Sequence, residues 1–227
     1  MLTSLKPYVN DNQIYGEYFE NESVFVFFGN KYFEKQHLNF FSDVSFQFLK
    51  QVHGNEVVPV VRISEETPVA DGHYTAQKKV ALLIQTADCL PVMIYDSTSS
   101  WVMALHAGWR GIENKIIQNG LTKLPTNQSK ISFFIGPHIQ YESFEVDRDV
   151  ADKLSACVTS PIDSKYNDQN KKYYFNLKKI ALSQVEALSI KTGEIYLSNI
   201  NTFNHLDYSS FRRQKAPCRN YSFIYLK

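Results

Sequence analysis

The sequence predicts an α+β fold with mixed β-sheets, and three observations predict it. Short apolar or alternating runs, the pattern of strands, recur along the whole chain. Three other stretches space their apolar residues as a helix does. The two kinds of segment do not alternate strictly, as the strand–helix–strand units of a doubly wound fold would. No Gly/Ser-rich or Pro-rich linker and no internal repeat interrupts the 227 residues. One domain over residues 1–227 is therefore expected, and a chain of this length buries a full core without disulfide staples.

Val24 to Phe28 is the first apolar run. Val44, Phe46 and Phe48 alternate with polar residues. Val57 to Val61 is β-branched but contains Pro59, which cannot donate to a ladder and so belongs at an edge or a bulge. Val80 to Ile84, Leu90 to Tyr95 and Trp101 to Leu105 form a second group of strands. Ile131 to Ile135, Ile195 to Leu197 and Phe223 to Leu226 complete the set. The first helix opens near Gly111 and carries Ile112, Ile116, Ile117 and Leu121 on one face. Asp147 caps a second, with Val150, Leu154 and Cys157 at helical spacing. Asn176 caps a third, with Leu177, Ile180, Ala181, Val185 and Leu188 inward and Gly193 beyond its end. The polar stretch from Ser164 to Lys172 reads as a solvated loop.

Composition excludes several classes of function. A formal net charge of +1 gives no electrostatic basis for holding nucleic acid by its phosphates. Lys171, Lys172, Lys178 and Lys179 then read as wet surface, and the many Tyr and Phe residues as core, not a base-stacking platform. No apolar run is long enough to span a membrane. Met1 to Gly16 carries Lys6, Asn10, Asp11 and Asn12 and has no signal-peptide h-region. The three cysteines, Cys89, Cys157 and Cys218, are odd in number and far apart, which argues against a disulfide framework. A reducing cytoplasm is the expected location.

The chemistry concentrates between Gln51 and Gly111, in QVHGNEV, ADGHYT, QTADCLPVMIYD and ALHAGWRG. Asp96 to Ser100 is turn chemistry between two apolar runs. If the hairpin is centred between Thr98 and Ser99, paired residue numbers sum to about 197. Cys89 then lies opposite Gly108, two residues from His106, so thiol and imidazole share a sheet face. A lone strand cysteine is more often core filler. Here Asp88, costly to bury alone, and the small-residue turn after His106 raise the odds of a site. His53 supplies a third group. Two imidazoles and a thiolate make a sound zinc set whose fourth position stays open to water, the catalytic pattern, and zinc lowers the pKa of such water to about 7. Copper could occupy the same donors. The turn from Gly108 to Gly111, with Arg110 beside a helix start, is a candidate anion site. Arg212, Arg213 and Arg219 read as solvated surface, while His73 and His138 are secondary candidates for the pocket wall.

QVHG, ADG, TADCLPV, HAGWRG, IGPHI with FEV, and the late FRR together resemble the laccase-domain or YfiH-type family. Its members have been called polyphenol oxidases, purine nucleoside phosphorylases and peptidoglycan editing factors. The resemblance covers Gln51 to Val146 well and the last third more loosely. It implies a layered α/β sandwich with mixed sheets and a metal held by His53, Cys89 and His106, the residues already chosen on chemical grounds. It also implies phosphorolysis of adenosine, inosine and methylthioadenosine, with hydrolytic deamination of adenosine in the same site. Cys89, His106, Asp88 as proton carrier and Arg110 as phosphate holder are then the catalytic candidates. The partners implied are a purine nucleoside and phosphate, with no nucleic acid or membrane, on a monomer or weak dimer.

Two departures bear on this reading. The family's Thr-Arg-x-Gly-Gly-Val-Ser segment is replaced by VFVFFGNKYFEKQHLNFFSDVSF, which lacks the arginine and offers only Asn30 or Asn39 for its asparagines. The usual Thr-Gly-Arg near the C-terminus reads Ala216-Pro217-Cys218-Arg219. Phosphorolysis is the activity these changes touch, since all three metal ligands remain. The alternatives are an amide hydrolase editing a peptidoglycan precursor, by a zinc-activated water or by a Cys89 thiolate with His106 as its base, and a relative that binds a nucleotide without turnover. Copper-oxidase chemistry is disfavoured by only six histidines and no His-x-His pair.

Overall fold

The apolar runs resolve into two six-stranded sheets laid face to face. The computed structural model describes residues 5–98, 100–124, 130–157, 164–188 and 190–227. In chain order the first strands are β1 (Lys6–Asn10), β2 (Gln13–Glu20), β3 (Val24–Gly29), β4 (Ser45–Gln47), β5 (Val57–Pro59), β6 (Gly72–Thr75) and β7 (Val80–Thr86). Then come β8 (Leu90–Asp96), β9 (Val102–Ala107), β10 (Ile131–Ile135), β11 (Glu145–Val146), β12 (Ser164–Asn167), β13 (Lys172–Phe175), β14 (Thr192–Leu197) and β15 (Asn220–Leu226). The helices are α1 (Trp109–Glu113), α2 (Ile116–Leu121), α3 (Arg148–Ala156), α4 (Leu177–Glu186) and α5 (Phe211–Gln214), with a 3-10 turn at Lys35–Phe41.

One sheet runs β1-β2-β3-β15-β7-β4, the other β14-β10-β8-β9-β6-β5. Both are mixed: β4 pairs β7, β14 pairs β10 and β5 pairs β6 in parallel, the remaining ladders antiparallel. Val26, Phe28, Leu82 and Ile224 of the first sheet meet Met93, Ala104 and Phe134 of the second in a dry layer between them. The outer face of the second sheet is covered by α1 to α4, through Ile112, Ile116, Leu154 and Ile180. The outer face of the first is closed by aromatic packing around Phe27, Phe33, Phe41 and Phe223. The layered α/β sandwich with mixed sheets is thus observed. Pro59 sits on the edge strand β5, where its missing N–H breaks no ladder. Among the described residues no helix is long and apolar enough to cross a membrane.

Two expectations need correction, and one element was not anticipated. The first helix begins at Trp109, not Gly111, and stops at Glu113 before α2 resumes. Lys115 between them adopts a left-handed φ of 57°. The Asn55 side chain donates to the Asn114 carbonyl, satisfying a group a continuous helix would have paired. Ser164 to Lys172 is no loop but most of a hairpin, β12 against β13. Its Tyr166 and Tyr173 rings pair 4.8 Å apart. Its polarity reflects the exposure of β12, which erases the alternation that marks a half-buried strand. The N-terminal hairpin β1–β2, absent from the sequence reading, turns on Asp11 and Asn12 with φ of 47° and 62°, the geometry of a type I′ turn. The signal-peptide reading of Met1 to Gly16 falls partly on residues 1–4, outside the described residues, as does Ser99 in the β8–β9 turn.

Candidate metal centre and cleft

The site forms where β8 and β9 begin and end. Their register pairs Leu90 with Ala107 and Pro91 with His106, sums of 197 in both cases, as the turn chemistry predicts. Cys89, one residue before β8, is thereby delivered beside Gly108 and His106. A Cβ built on Gly108 would lie 3.0 Å from the Cys89 Sγ and 3.4 Å from the His53 Cδ2, so a side chain here presses on the sulfur and touches the ring. His53 arrives from the loop after β4, with its ring centroid 4.8 Å from that of His106. One donor atom from each of His53, Cys89 and His106 lies within 4.8 Å of the others.

This set fits a metal. Tetrahedral coordination with zinc bonds of about 2.0–2.3 Å needs donors roughly 3.5 Å apart. The three side chains reach that spacing by moving some tenths of an ångström toward a shared centre. The electrostatics agree. Burial opposes ionisation of the Cys89 thiol, yet His106 and His53 hold its pKa down to about 6. Burial likewise opposes charge on His106, but the Cys89 sulfur and the Asp71 carboxylate raise its pKa to about 9.

Asp71, in ADG but not singled out from the sequence, is wholly buried. It accepts from the His106 Nδ1 at 2.8 Å and from the backbone N–H groups of Val52, His53 and Gly54 at 3.1, 2.9 and 2.6 Å. Burial works against its charge, but His106 and the Gly54 and Val52 N–H groups lower its pKa regardless. His53 itself has φ of 60°, a left-handed conformation costing about 1–2 kcal/mol for a residue with a Cβ. Gln51 adds a second brace, its amide exchanging two 2.8 Å hydrogen bonds with the backbone of Gln85.

The centre opens into a cleft of about 490 Å³, within the range of small-molecule sites. Trp109, Phe144, Leu177 and Phe211 give it apolar walls, and Arg212 and Arg219 line it as well. These arginines are therefore not the solvated surface expected of them. Arg212 donates to the Glu145 carbonyl at 3.0 Å. Arg219 uses its Nη1 on the carbonyls of Ala216 and Cys218. Arg213 is spent on structure, bonding the carbonyls of Thr202, Phe203 and Tyr208. Asp88 lines the cleft with a φ of 88°, and its two oxygens accept from Thr202 Oγ1 and the Arg212 N–H, each at 2.7 Å. Arg110 is exposed, its guanidinium stacked 4.3 Å over the Trp109 ring. His73 and His138 lie buried in the core and not on the cleft wall.

Phe144 and Phe211 were legible only as apolar residues. Nothing local marks Phe211, which is 50% exposed, as part of a cleft some 120 positions away in the chain from Cys89. Lys31 to Lys35 wall an adjoining cavity of about 580 Å³ that shares Gln85 and Arg219 with the cleft.

Gly108→Ala tests the close packing of the centre. Its Cβ is accommodated by shifting the Cys89 sulfur a few tenths of an ångström against the His53 ring. We expect metal affinity, measured by chelator competition, to fall about tenfold or more while the melting temperature moves by only a few degrees. An unchanged affinity would show that the three donors do not converge where the geometry puts them.

Residues 30–227 match the family described as Multi-copper polyphenol oxidoreductase laccase. A Rickettsia conorii protein named purine nucleoside phosphorylase is 31% identical over 185 residues, covering 79% of this chain and 75% of that protein. The Escherichia coli protein named purine nucleoside phosphorylase YfiH is 27% identical over 180 residues, covering 79% and 73%. In fold, the crystal structure of a Neisseria meningitidis protein superposes with a TM-score of 0.77 at 24% identity, covering 90% of this chain and 94% of that one. YlmD from Geobacillus stearothermophilus superposes with a TM-score of 0.78 at 21% identity, covering 90% and 92%.

Proposed function

The chain belongs to the Multi-copper polyphenol oxidoreductase laccase family, and from that premise we propose that it is a zinc-dependent purine nucleoside phosphorylase that also deaminates adenosine. One observation carries the reading: a His–Cys–His cluster opens onto a cleft with aromatic walls and two arginines. A purine is flat and apolar on its faces and suits Trp109, Phe144 and Phe211. Phosphate is anionic and suits a guanidinium. The names carried by the curated relatives point the same way.

His53, Cys89 and His106 would hold the zinc ion, which supplies Lewis acidity and lowers the pKa of a bound water. In phosphorolysis a phosphate oxygen bonds to the ribose anomeric carbon as the bond to the purine nitrogen breaks. The purine leaves with that electron pair and gains a proton. Arg219, whose Nη1 alone is engaged by carbonyls, orients the phosphate, with Arg212 beside it. Arg110 acts less directly, holding the Trp109 ring and adding positive charge at the mouth. In deamination, water replaces the purine amino group and ammonia leaves. Asp88 carries the proton for that exchange on the lone pairs that Thr202 and Arg212 leave free.

The test is turnover of adenosine and inosine by the metal-loaded protein, with and without phosphate. Free base and ribose 1-phosphate are expected only when phosphate is present, and inosine from adenosine without it. No turnover in either condition, with zinc confirmed bound, would overturn the reading. Arg219→Ala is expected to raise the KM for phosphate about 10- to 100-fold, the loss of one charged hydrogen-bonding partner, and the KM for nucleoside far less. Equal changes in both would remove Arg219 from phosphate binding.

A further inference from the structure

We propose that Asp71 is the positioning residue of the metal centre: one buried carboxylate sets which ring nitrogen His106 offers to the metal and shapes the loop that presents His53. The inference rests on the reading that His53, Cys89 and His106 hold a metal, but concerns a residue that touches neither metal nor substrate.

An ionised carboxylate accepts about four hydrogen bonds, and Asp71 has four donors. Its Oδ1 takes the His53 N–H and the His106 Nδ1, and its Oδ2 takes the N–H groups of Val52 and Gly54. Three of the four are backbone donors that cannot change role. The carboxylate is an acceptor throughout, so His106 Nδ1 carries its hydrogen toward Asp71. In a neutral imidazole that leaves Nε2 bare, as a ligand nitrogen must be.

The same carboxylate gathers three consecutive N–H groups, which requires the chain to curl around it. The curl is where His53 takes its left-handed φ of 60°. Asp71 is itself held from both sides. Its N–H and that of Gly72 donate to the Glu56 carbonyl at 3.0 Å, and its carbonyl accepts from the His106 N–H at 2.7 Å. It is therefore anchored to the end of β9 and to the loop of His53 at once, and couples two ligands 53 residues apart in the chain.

Two measurements test this. In the metal-free wild-type protein, at a pH alkaline enough for the His106 imidazole to be neutral, its nitrogen NMR shifts should show hydrogen on Nδ1 and none on Nε2. The opposite tautomer overturns the proposal, and this readout needs no variant to fold and no metal to bind. In Asp71→Asn, an amide donor replaces one oxygen. It must either face the Val52 and Gly54 N–H groups, which opens the His53 loop, or face His106 and force its hydrogen onto Nε2. Zinc affinity by chelator competition should fall 10- to 100-fold, with the tautomer shift visible where the amide faces His106. A folded Asp71→Asn protein with wild-type zinc affinity overturns the proposal. Failure of wild-type protein to bind zinc would instead count against the metal reading, and the tautomer of His106 would still decide the role of Asp71.

Discussion

Cys89→Ser is expected to reduce kcat/KM on purine nucleosides by a thousandfold or more, about 4 kcal/mol of transition-state stabilisation, and to lower bound zinc well below one per chain. Serine keeps the size of cysteine but its hydroxyl is a far poorer zinc donor at neutral pH. The thiol of Cys89 is held ionisable, at a pKa of about 6, by His106 and His53 against the opposing effect of burial. That same depressed pKa would suit a nucleophile, and the experiment must separate the two roles. A ligand sulfur resists alkylation until a chelator strips the metal. A nucleophile reacts at once and is inactivated with zinc still bound. Metal analysis and alkylation, run with and without chelator, therefore distinguish them. Full activity in a zinc-free Cys89→Ser protein would end the metal account.

Acid should destabilise this protein from about pH 6.5 downward, more steeply than its surface carboxylates alone would produce. Two buried histidines are responsible. Burial lowers the His73 pKa to about 3. Burial also lowers that of His138, to about 4, despite its hydrogen bond to the Gly136 carbonyl. Both are neutral in the fold, while in the unfolded chain they bind protons near pH 6.5. Between those limits the unfolded state holds more protons, so stability falls as pH falls. Each histidine contributes up to about 1.4 kcal/mol per pH unit well below 6.5. The His138 effect levels off near pH 4 and that of His73 near pH 3. Above about 6.5 neither contributes a slope.

His73 is the sharper case, because neither ring nitrogen has a hydrogen-bond partner among the described residues. It lies on β6 opposite Ala104, which belongs to the dry layer between the sheets. His73→Leu removes two unpaired polar atoms, each costing on the order of 1–3 kcal/mol when buried. Urea midpoints at pH 7, 6 and 5 should show the variant more stable at pH 7, with its slope reduced by one proton. A slope identical to wild type would mean that His73 is protonated or hydrated in the fold.

The register of β8 against β9 was legible because five turn-forming residues between two apolar runs leave few ways to pair them. From that register the approach of Cys89 to His106 follows by counting. The helix starts at Asp147 and Asn176 were legible because the signals are local; Asn176 does accept from the Lys179 N–H. The hairpin of β12 and β13 was not legible, since β12 is exposed along most of its length and only Tyr173 and Phe175 of β13 reach the core, too few positions to show a period of two. Asp71 was passed over for a different reason. It is no ligand, and its importance lies in four donors brought from two separate segments, Val52 to Gly54 and His106.

The chain by its order alone determined the architecture class and the approach of Cys89 to His106, because apolar periodicity and short-range turns are encoded within a few residues. Only the tertiary structure decided which charges serve the cleft. It placed Arg212 and Arg219 on the cleft wall, committed Arg213 to carbonyls and set Arg110 on Trp109. An arginine is the same residue on a wet surface and in a cleft. What separates the two is the set of neighbours that folding assembles from distant parts of the chain.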